Sequence, residues 1–309
     1  VGVEALDIGQ GNDGGGMLYL GSADGVITTP AFTVEAPTAD NDELGTSVAL
    51  VGSVNGDDWD DLVIGDPLAD PDAQAQAGMA YGVYGREIAL NPGFEWWDTN
   101  PDEQPNDRRG FSVADAGDVN ADGFGDVIVG QTYYDNEAGE EGAAYLYLGS
   151  PDGLSDFDGL PIERDNNIGT AFFGYAVAGA GDVNQDGFDD VLITAPRQQE
   201  SGPAFFGAVY LYTGSDSGLS TSEFHVFEGD ESGAMFGSSV DAGDFNDDGF
   251  RDVVIGAHFH DDPEVNEGAV FVYYGSESGF TAEADAIISL DQGNRRFGQT
   301  VANAGDVNG

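Results

Sequence analysis

The 309-residue chain contains no cysteine and no lysine. Without cysteine it has no disulfide framework and no thiol redox chemistry. Its eight basic residues are all arginines and stand against 58 Asp and Glu residues, which gives a formal net charge of −50 at pH 7. Nucleic acid is therefore excluded as a partner, because binding to its phosphate backbone depends on Lys and Arg contacts.

Long apolar runs are also absent from the sequence. No stretch approaches the roughly 20 apolar residues that span a membrane, and the N-terminus has no charged segment followed by an apolar one, as a secretion signal would. The sequence begins at Val1 without a methionine and stops at Gly309 inside a repeated motif. We therefore expect both ends to be cuts through a longer protein.

The large negative charge has a physical consequence for folding. Like charges at this density oppose a compact state unless cations neutralise them, so either bound metal or a high-salt environment is implied, and composition does not separate the two. Aliphatic and aromatic residues recur regularly between the acidic ones, which argues against a disordered acidic tail. Short apolar runs bounded by Gly, Asp and Asn predict many brief strands.

A motif of about 20 residues recurs through the chain. Its clearest copies are FSVADAGDVNADGFGDVIVG at 111–130, FGYAVAGAGDVNQDGFDDVLIT at 173–194 and FGSSVDAGDFNDDGFRDVVIG at 236–256. A weaker copy, LGTSVALVGSVNGDDWDDLVIG, occupies 44–65, and a truncated one, FGQTVANAGDVNG, occupies 297–309. The first loop positions of the five copies are separated by 65, 64, 62 and 62 residues, so the chain is built from repeats.

A second element follows the same period. Its copies are GMAYGVYG at 78–85, GAAYLYLG at 142–149, GAVYLYTG at 207–214 and GAVFVYYG at 268–275. Each repeat thus has four predicted strands: a Gly- and Ala-rich strand before an Asp-rich loop, a β-branched strand after it, this aromatic strand, and a variable strand such as EFHVFEG at 223–229. The pattern predicts an all-β fold, a β-propeller of four-stranded blades with small residues at the crowded axis.

We expect residues 1–309 to form a single propeller domain that is truncated at both ends. The predicted units are a partial blade at 1–40, whole blades at 44–109, 111–170, 173–233 and 236–294, and the start of a blade at 297–309.

The repeat resembles the FG-GAP repeats of integrin α-subunit N-terminal propellers and their bacterial relatives. The resemblance rests on Phe173-Gly174, Gly179-Ala180-Gly181, the loop from Asp182 to Asp190, and Ala195-Pro196, and it covers essentially the whole chain. It implies a closed propeller, usually of seven blades in that family, of which this chain would hold about five.

The loop DVNQDGFDD at 182–190 has the composition of a calcium site. Oxygen-bearing side chains occupy positions 1, 3, 5 and 9, which are Asp182, Asn184, Asp186 and Asp190. Calcium takes six to eight oxygen ligands, and alternate residues of a tight loop point to one centre. Glycine at position 6 permits the turn. Position 7 is Phe188, which we expect to contribute its backbone carbonyl.

Two more loops carry the same complete set. They are Asp118, Asn120, Asp122, Phe124 and Asp126 in one repeat, and Asp244, Asn246, Asp248, Phe250 and Asp252 in another. In the loop at 53–61, Ser53 replaces the first Asp and Asp58 replaces the glycine, which leaves Asn55, Asp57 and Asp61 as a weaker site. The final loop is truncated after Asp306 and Asn308.

The Asp-rich loops, the histidines and the tryptophans each allow more than one interpretation. Asp, Asn and Gly favour turns on their own account, but a plain turn does not require the ninth-position Asp. An EF-hand or dockerin needs flanking helices, whereas these loops run into strand sequences. His258 and His260 would lie on one strand face, as a transition-metal pair or as surface residues. Trp96 and Trp97 could stack on a sugar, although packing between blades is the simpler role.

The sequence favours binding over catalysis. It contains no GxSxG, no HExxH, and only three histidines, and the aspartates that stand out belong to the predicted calcium loops. We therefore expect a non-enzymatic, calcium-binding adhesion or interaction module at the cell surface or outside the cell, with a protein or glycan ligand. The alternative is a non-catalytic propeller within a secreted hydrolase, such as a phospholipase or glycan-active enzyme.

Overall fold

A computed structural model describes most of the chain. The described residues are 2–3, 14–19, 21–22, 25–26, 28–30, 32–35, 43–70, 76–86, 94–98, 105–135, 141–155, 161–163, 170–198, 204–220, 222–261 and 264–305. Within these ranges all regular secondary structure is β, in twenty strands. The described residues include no helix that is long and apolar enough to cross a membrane.

Three antiparallel sheets repeat one strand order, in which each strand pairs with the next along the chain. The first contains β6 (Ser47–Val51), β7 (Asp61–Asp66), β8 (Met79–Val83) and β9 (Trp96–Trp97). The second contains β13 (Val177–Gly181), β14 (Asp190–Ala195), β15 (Ala208–Tyr212) and β16 (His225–Glu228). The third contains β17 (Phe236–Gly243), β18 (Asp252–Ala257), β19 (Ala269–Tyr273) and β20 (Ala286–Ser289).

The remaining sheets are less complete. The sheet of β10 (Arg109–Gly117), β11 (Asp126–Gln131) and β12 (Ala143–Tyr147) lies between the first two above. Ile162 and Ala144 exchange two backbone hydrogen bonds of 2.8 and 3.0 Å, so a fourth segment pairs with β12. Near the N-terminus, β1 (Gly2–Val3), β2 (Gly15–Leu18) and β5 (Phe32–Glu35) form one sheet, and β3 (Gly21–Ser22) pairs with β4 (Gly25–Val26).

These sheets are the blades of a β-propeller, and the predicted all-β fold is confirmed. The first strands β6, β10, β13 and β17 pack side by side and line a central cavity. Ala114 and Ala178 face this cavity, as expected for a crowded axis. All six residues of β11 and of β14 are buried, because each second strand is covered on both faces by neighbouring blades.

The glycine that follows Phe173, and its equivalents Gly110 and Gly298, form joints between blades. Gly174 has a left-handed backbone (φ 77°), and a Cβ at this position would lie 2.2 Å from the carbonyl oxygen of Ala143 in the preceding blade. The hydroxyl of Ser112 donates a 2.9 Å hydrogen bond to the Gly174 carbonyl. The same serine-to-glycine contact joins Ser47 to Gly110 and Ser239 to Gly298, each at 2.9 Å.

Arg109 occupies the position that Phe173 and Phe236 hold in other repeats. Its side chain is 1% exposed, and its guanidinium donates to both carboxylate oxygens of Asp98 at 2.9 and 3.0 Å. The guanidinium also donates to Gln131 and stacks on the ring of Tyr145 at 4.1 Å. Burial alone would lower the pKa of Arg109, but Asp98 raises it, so the guanidinium remains charged.

Removing one partner of this buried pair should strongly destabilise the protein. We expect Asp98→Ala to cost about 3–5 kcal/mol, because it leaves the Arg109 charge buried without its counter-charge. The double change Asp98→Ala with Arg109→Phe, which introduces the phenylalanine found in other repeats, should recover much of the loss. Chemical unfolding at a fixed calcium concentration measures both values. A double variant as unstable as Asp98→Ala would contradict this account.

Candidate metal centre

The four described Asp-rich loops lie at the same end of their blades. Each loop connects the first strand to the second, so residues 53–61, 118–126, 182–190 and 244–252 occupy equivalent places. Asp306 and Asn308 of the predicted fifth loop lie outside the described residues.

In the loop at 182–190, side chains at positions 1, 3 and 5 are drawn together. The Asp182 carboxylate accepts hydrogen bonds from the backbone N–H groups of Asp186 at 3.0 Å and Gly187 at 2.8 Å. The Asn184 side chain accepts from the Asp186 N–H and donates to the Asp186 carboxylate, each at 2.9 Å. Oxygen atoms from three alternate residues therefore converge on one side of the loop.

The backbone of the loop turns sharply at positions 4 and 6. Both residues have left-handed φ values, 59° at Gln185 and 95° at Gly187. The same two positions are left-handed in the other loops: Ala121 and Gly123, Asp247 and Gly249, and Gly56 and Asp58. All four loops therefore share one conformation, including the loop whose sequence departs most from the motif.

The buried aspartate at position 9 links the loop to the third strand by accepting two backbone hydrogen bonds. Asp190 is fully buried; one oxygen accepts from the Val183 N–H and the other from the Gly214 N–H after β15, both at 2.9 Å. The equivalent contacts are Asp126 with Val119 and Gly149, Asp252 with Phe245 and Gly275, and Asp61 with Val54 and Gly85. Position 9 thus joins the loop to the third strand of its blade.

Burial makes the ionised form of this aspartate unfavourable. It raises the pKa of Asp126 to about 7 and that of Asp190 to about 6, although the backbone N–H donors act in the opposite direction. The pKa values of Asp61 and Asp252 are also raised by burial. A neighbouring cation would favour the ionised carboxylates, because an opposite charge stabilises the charged form.

The loop at 53–61 keeps this conformation with fewer oxygens. Ser53 accepts the Asp57 N–H at 2.9 Å, as an aspartate would, but it has one oxygen instead of two. Its hydroxyl also donates to the Asn55 side-chain oxygen at 3.2 Å. Asp58 takes the left-handed position 6, where glycine is less strained. This loop therefore offers fewer oxygen ligands than the three complete loops, which agrees with the sequence prediction of a weaker site.

Backbone hydrogen bonds link loops of adjacent blades. The N–H of Asp189, at position 8, donates to the carbonyl of Asp118 in the previous loop at 3.2 Å, and Gly125 donates to Ser53 at 3.0 Å. The Gln185 side chain reaches the carbonyl of Gly249 at 3.2 Å. Sequence reasoning missed the two backbone contacts, because they use groups that any residue supplies, and it missed the Gln185 contact because position 4 is not part of the motif.

The donor chemistry of the loops fits a hard divalent cation. Each complete loop presents carboxylate and amide oxygens and no nitrogen or sulfur ligand, which suits calcium. Among the described residues, no three His, Cys, Asp or Glu side chains are grouped closely enough to hold a metal. Positions 1 and 5 supply two carboxylates and position 3 an amide, while the position-9 carboxylate is directed toward backbone N–H groups.

The role of the position-7 carbonyl stays a prediction for Phe124, Phe188 and Phe250. In the structure their backbone N–H groups each donate to the position-5 aspartate, at 2.9 or 3.0 Å. These bonds orient the position-5 carboxylates toward the loop centre.

The histidine pair is placed differently from the expectation. His258 and His260 follow the end of β18 at Ala257, so they do not lie on a strand face, and both are buried. His260 packs edge-on against Phe271 and approaches the Glu231 carboxylate at 3.5 Å. The chain leaves the strand after Ala257 because a turn bond from the His260 N–H to the Ala257 carbonyl reverses it.

The two tryptophans have separate environments. Trp96 is buried and packs edge-on against Tyr147 of the next blade, which confirms its packing role. Trp97 is 50% exposed.

Known proteins contain the same repeat. A family model for the FG-GAP repeat matches residues 173–212 and 236–273. The chain is 32% identical to integrin alpha-6 of Gallus gallus over 151 residues, 48% of this chain and 13% of that protein. It is 29% identical to integrin alpha-5 of Xenopus laevis over 252 residues, 77% of this chain and 22% of that protein.

A relative of another kind shares the repeat. The chain is 37% identical to phosphatidylinositol-glycan-specific phospholipase D of Bos taurus over 150 residues, 44% of this chain and 17% of that protein. The chain thus spans less than a quarter of the length of each of these three relatives.

Calcium titration should separate the loops. We expect three tighter sites and weaker binding at 53–61, because the three complete loops have two carboxylates and one amide at positions 1, 3 and 5. Asp186→Ala should remove one tight site, whereas Asp57→Ala, the matched change at position 5 of the poorer loop, should leave the tight stoichiometry unchanged. Calorimetry of chelator-treated protein measures both. Tightest binding at 53–61 would contradict the ranking.

Proposed function

We propose that this chain, whose repeats make it a member of the integrin α-like FG-GAP family, is a calcium-stabilised interaction module that acts outside the cell. The observation that carries the proposal is the shared geometry of the four described Asp-rich loops, in which oxygens of alternate residues converge. The integrin alpha relatives support a binding role in preference to catalysis.

Calcium would act by organising the loops. Each complete loop holds negative side chains close together, and their repulsion opposes folding until a divalent cation bridges them. A ligand that binds only the folded state adds about 2.7 kcal/mol per site at a hundredfold excess over Kd. Because adjacent loops are hydrogen-bonded to one another, order in one loop supports the next blade.

Bound calcium would not neutralise the protein as a whole. Three ions carry two charges each and would change the formal net charge only from −50 to −44. Monovalent salt screens the diffuse repulsion between the remaining charges, over a Debye length of about 8–10 Å at ordinary ionic strength. Calcium and salt should therefore stabilise the chain by separate routes.

The second candidate function is a non-catalytic propeller within a secreted hydrolase. The similarity to phosphatidylinositol-glycan-specific phospholipase D favours it, because that relative shares 150 aligned residues with the chain. The complete reading frame that encodes this chain distinguishes the two functions.

Thermal unfolding tests the proposed role of calcium. We expect a chelator to lower the unfolding temperature sharply and calcium to restore it, whereas sodium chloride at matched ionic strength should restore only part of the loss. Asp186→Ala should reduce the calcium-dependent increment and leave the salt-dependent increment nearly unchanged. Full recovery of the chelated protein in sodium chloride alone would show that the loops are acidic turns of a salt-adapted surface.

A further inference from the structure

Arginine and aromatic side chains stack on one another at the end of the blades opposite the Asp-rich loops. The guanidinium of Arg108 stacks on the ring of Tyr133 at 4.6 Å, and Tyr133 contacts the ring of Phe172 at 5.1 Å. The guanidinium of Arg197 stacks on Phe172 at 4.9 Å and on Phe205 at 4.8 Å. These five residues form one continuous ladder across two blades, which we call the arginine–aromatic belt.

The same arrangement recurs further along the chain. Arg296 stacks on Phe259 at 5.0 Å, and Arg296 directly precedes an FG dipeptide, as Phe172 does. Phe259 and Arg197 both lie two residues beyond the end of a second strand, at Ala257 and Ala195. The stacking therefore follows the blade repeat, and we include Phe259 and Arg296 in the belt.

The belt is built on unusual backbone. Arg108, Phe172 and Arg296 have φ values of 57°, 58° and 54°, and Met235 at the equivalent position has 59°. Left-handed backbone is disfavoured for bulky L-residues, and such residues concentrate at binding and switch sites. The left-handed residue directly precedes an FG dipeptide at Phe172, Met235 and Arg296, and precedes Arg109-Gly110 at Arg108.

Among the described residues the belt arginines form no ion pair, and neither do Arg251 and Arg295, in a chain with 58 Asp and Glu residues and eight arginines. Arg109 pairs with Asp98 and Arg86 pairs with Glu95. No described carboxylate lies within ion-pair distance of Arg108, Arg197 or Arg296, whose guanidinium groups are stacked on rings. Stacking uses the face of a guanidinium and leaves its N–H edge available for a planar carboxylate.

We propose that the arginine–aromatic belt is a docking surface for an acidic segment of a partner protein, whose carboxylates bind the available edges of Arg108, Arg197 and Arg296. Arg and aromatic residues are enriched at the energetic centres of protein interfaces. An anionic glycan fits less well, because ring faces that would stack on a sugar are already covered by guanidinium groups or other rings.

The overall negative charge does not prevent this contact. At physiological ionic strength, charges more than about 8 Å apart are largely screened, whereas hydrogen-bonded guanidinium and carboxylate groups in contact are screened much less. The inference rests on the proposed role as an interaction module and names the chemistry of its partner.

Fluorescence anisotropy with a labelled 20-residue peptide rich in Glu and Gly tests the proposal, in saturating calcium and about 0.15 M salt. The double variant Arg108→Gln with Arg197→Gln should weaken binding at least tenfold. The matched control, Arg86→Gln with Arg251→Gln, makes the same change in net charge outside the belt and should stay within twofold. A Gln-for-Glu version of the peptide should not bind.

Several outcomes would overturn the proposal. They are no binding of the acidic peptide to the unaltered chain, equal weakening by both double variants, or binding of heparin in place of the peptide, which would indicate an anionic glycan. If the belt variant does not fold, Arg108→Lys with Arg197→Lys keeps the charge and should still weaken binding several-fold by removing the planar fork. The unfolding temperature is measured separately. If it did not depend on calcium while the peptide still bound, the proposed role of calcium would be refuted and the docking surface would stand.

Discussion

The fold of the four blades with described Asp-rich loops depends on one buried aspartate in each, which accepts backbone hydrogen bonds on both carboxylate oxygens. Asp190 fixes the start of its own loop through Val183 and the end of the third strand through Gly214. The start of the loop, its last residue and the end of the third strand therefore meet at a single side chain. An unpaired buried carboxylate would be costly, and these donors offset part of that cost. A cation bound in the same loop would offset more of that cost, because a nearby positive charge favours the ionised carboxylate.

The joints between blades use few side-chain types. At three joints a serine hydroxyl donates to the carbonyl of the glycine that begins the next blade, and at the loop end a backbone N–H donates to the carbonyl of the previous loop. The first contact depends on close approach of backbone, since a Cβ at Gly174 would lie 2.2 Å from the Ala143 carbonyl oxygen, which explains the recurring glycine at this place. The two ends differ: one has the Asp-rich loops, and the other has the stacked arginines and rings, beside carboxylates such as Asp135 and Asp261.

Much of the fold was predictable because strand period, loop composition and glycine spacing recur together. The buried second strands and the poorer loop at 53–61 follow from the residues alone. The contacts between loops did not, since Asp189 and Gly125 use their backbone N–H groups. Burial of His258 and His260 was also missed, because the turn after Ala257 depends on backbone geometry. The belt was not predicted because most of its stacked pairs join residues about 25 to 39 positions apart, in no motif.

The presence of Arg109 where other repeats have phenylalanine affects which blades pack together. Repeats that share the serine-to-glycine contact could pair out of order during folding, since those three joints resemble one another. The Arg109 charge is satisfied only when Asp98 of the preceding blade is beside it, so a mispaired blade would bury an uncompensated charge. The joint between the blades of Asp98 and Arg109 therefore differs from the other joints, and this pair of blades is favoured as neighbours.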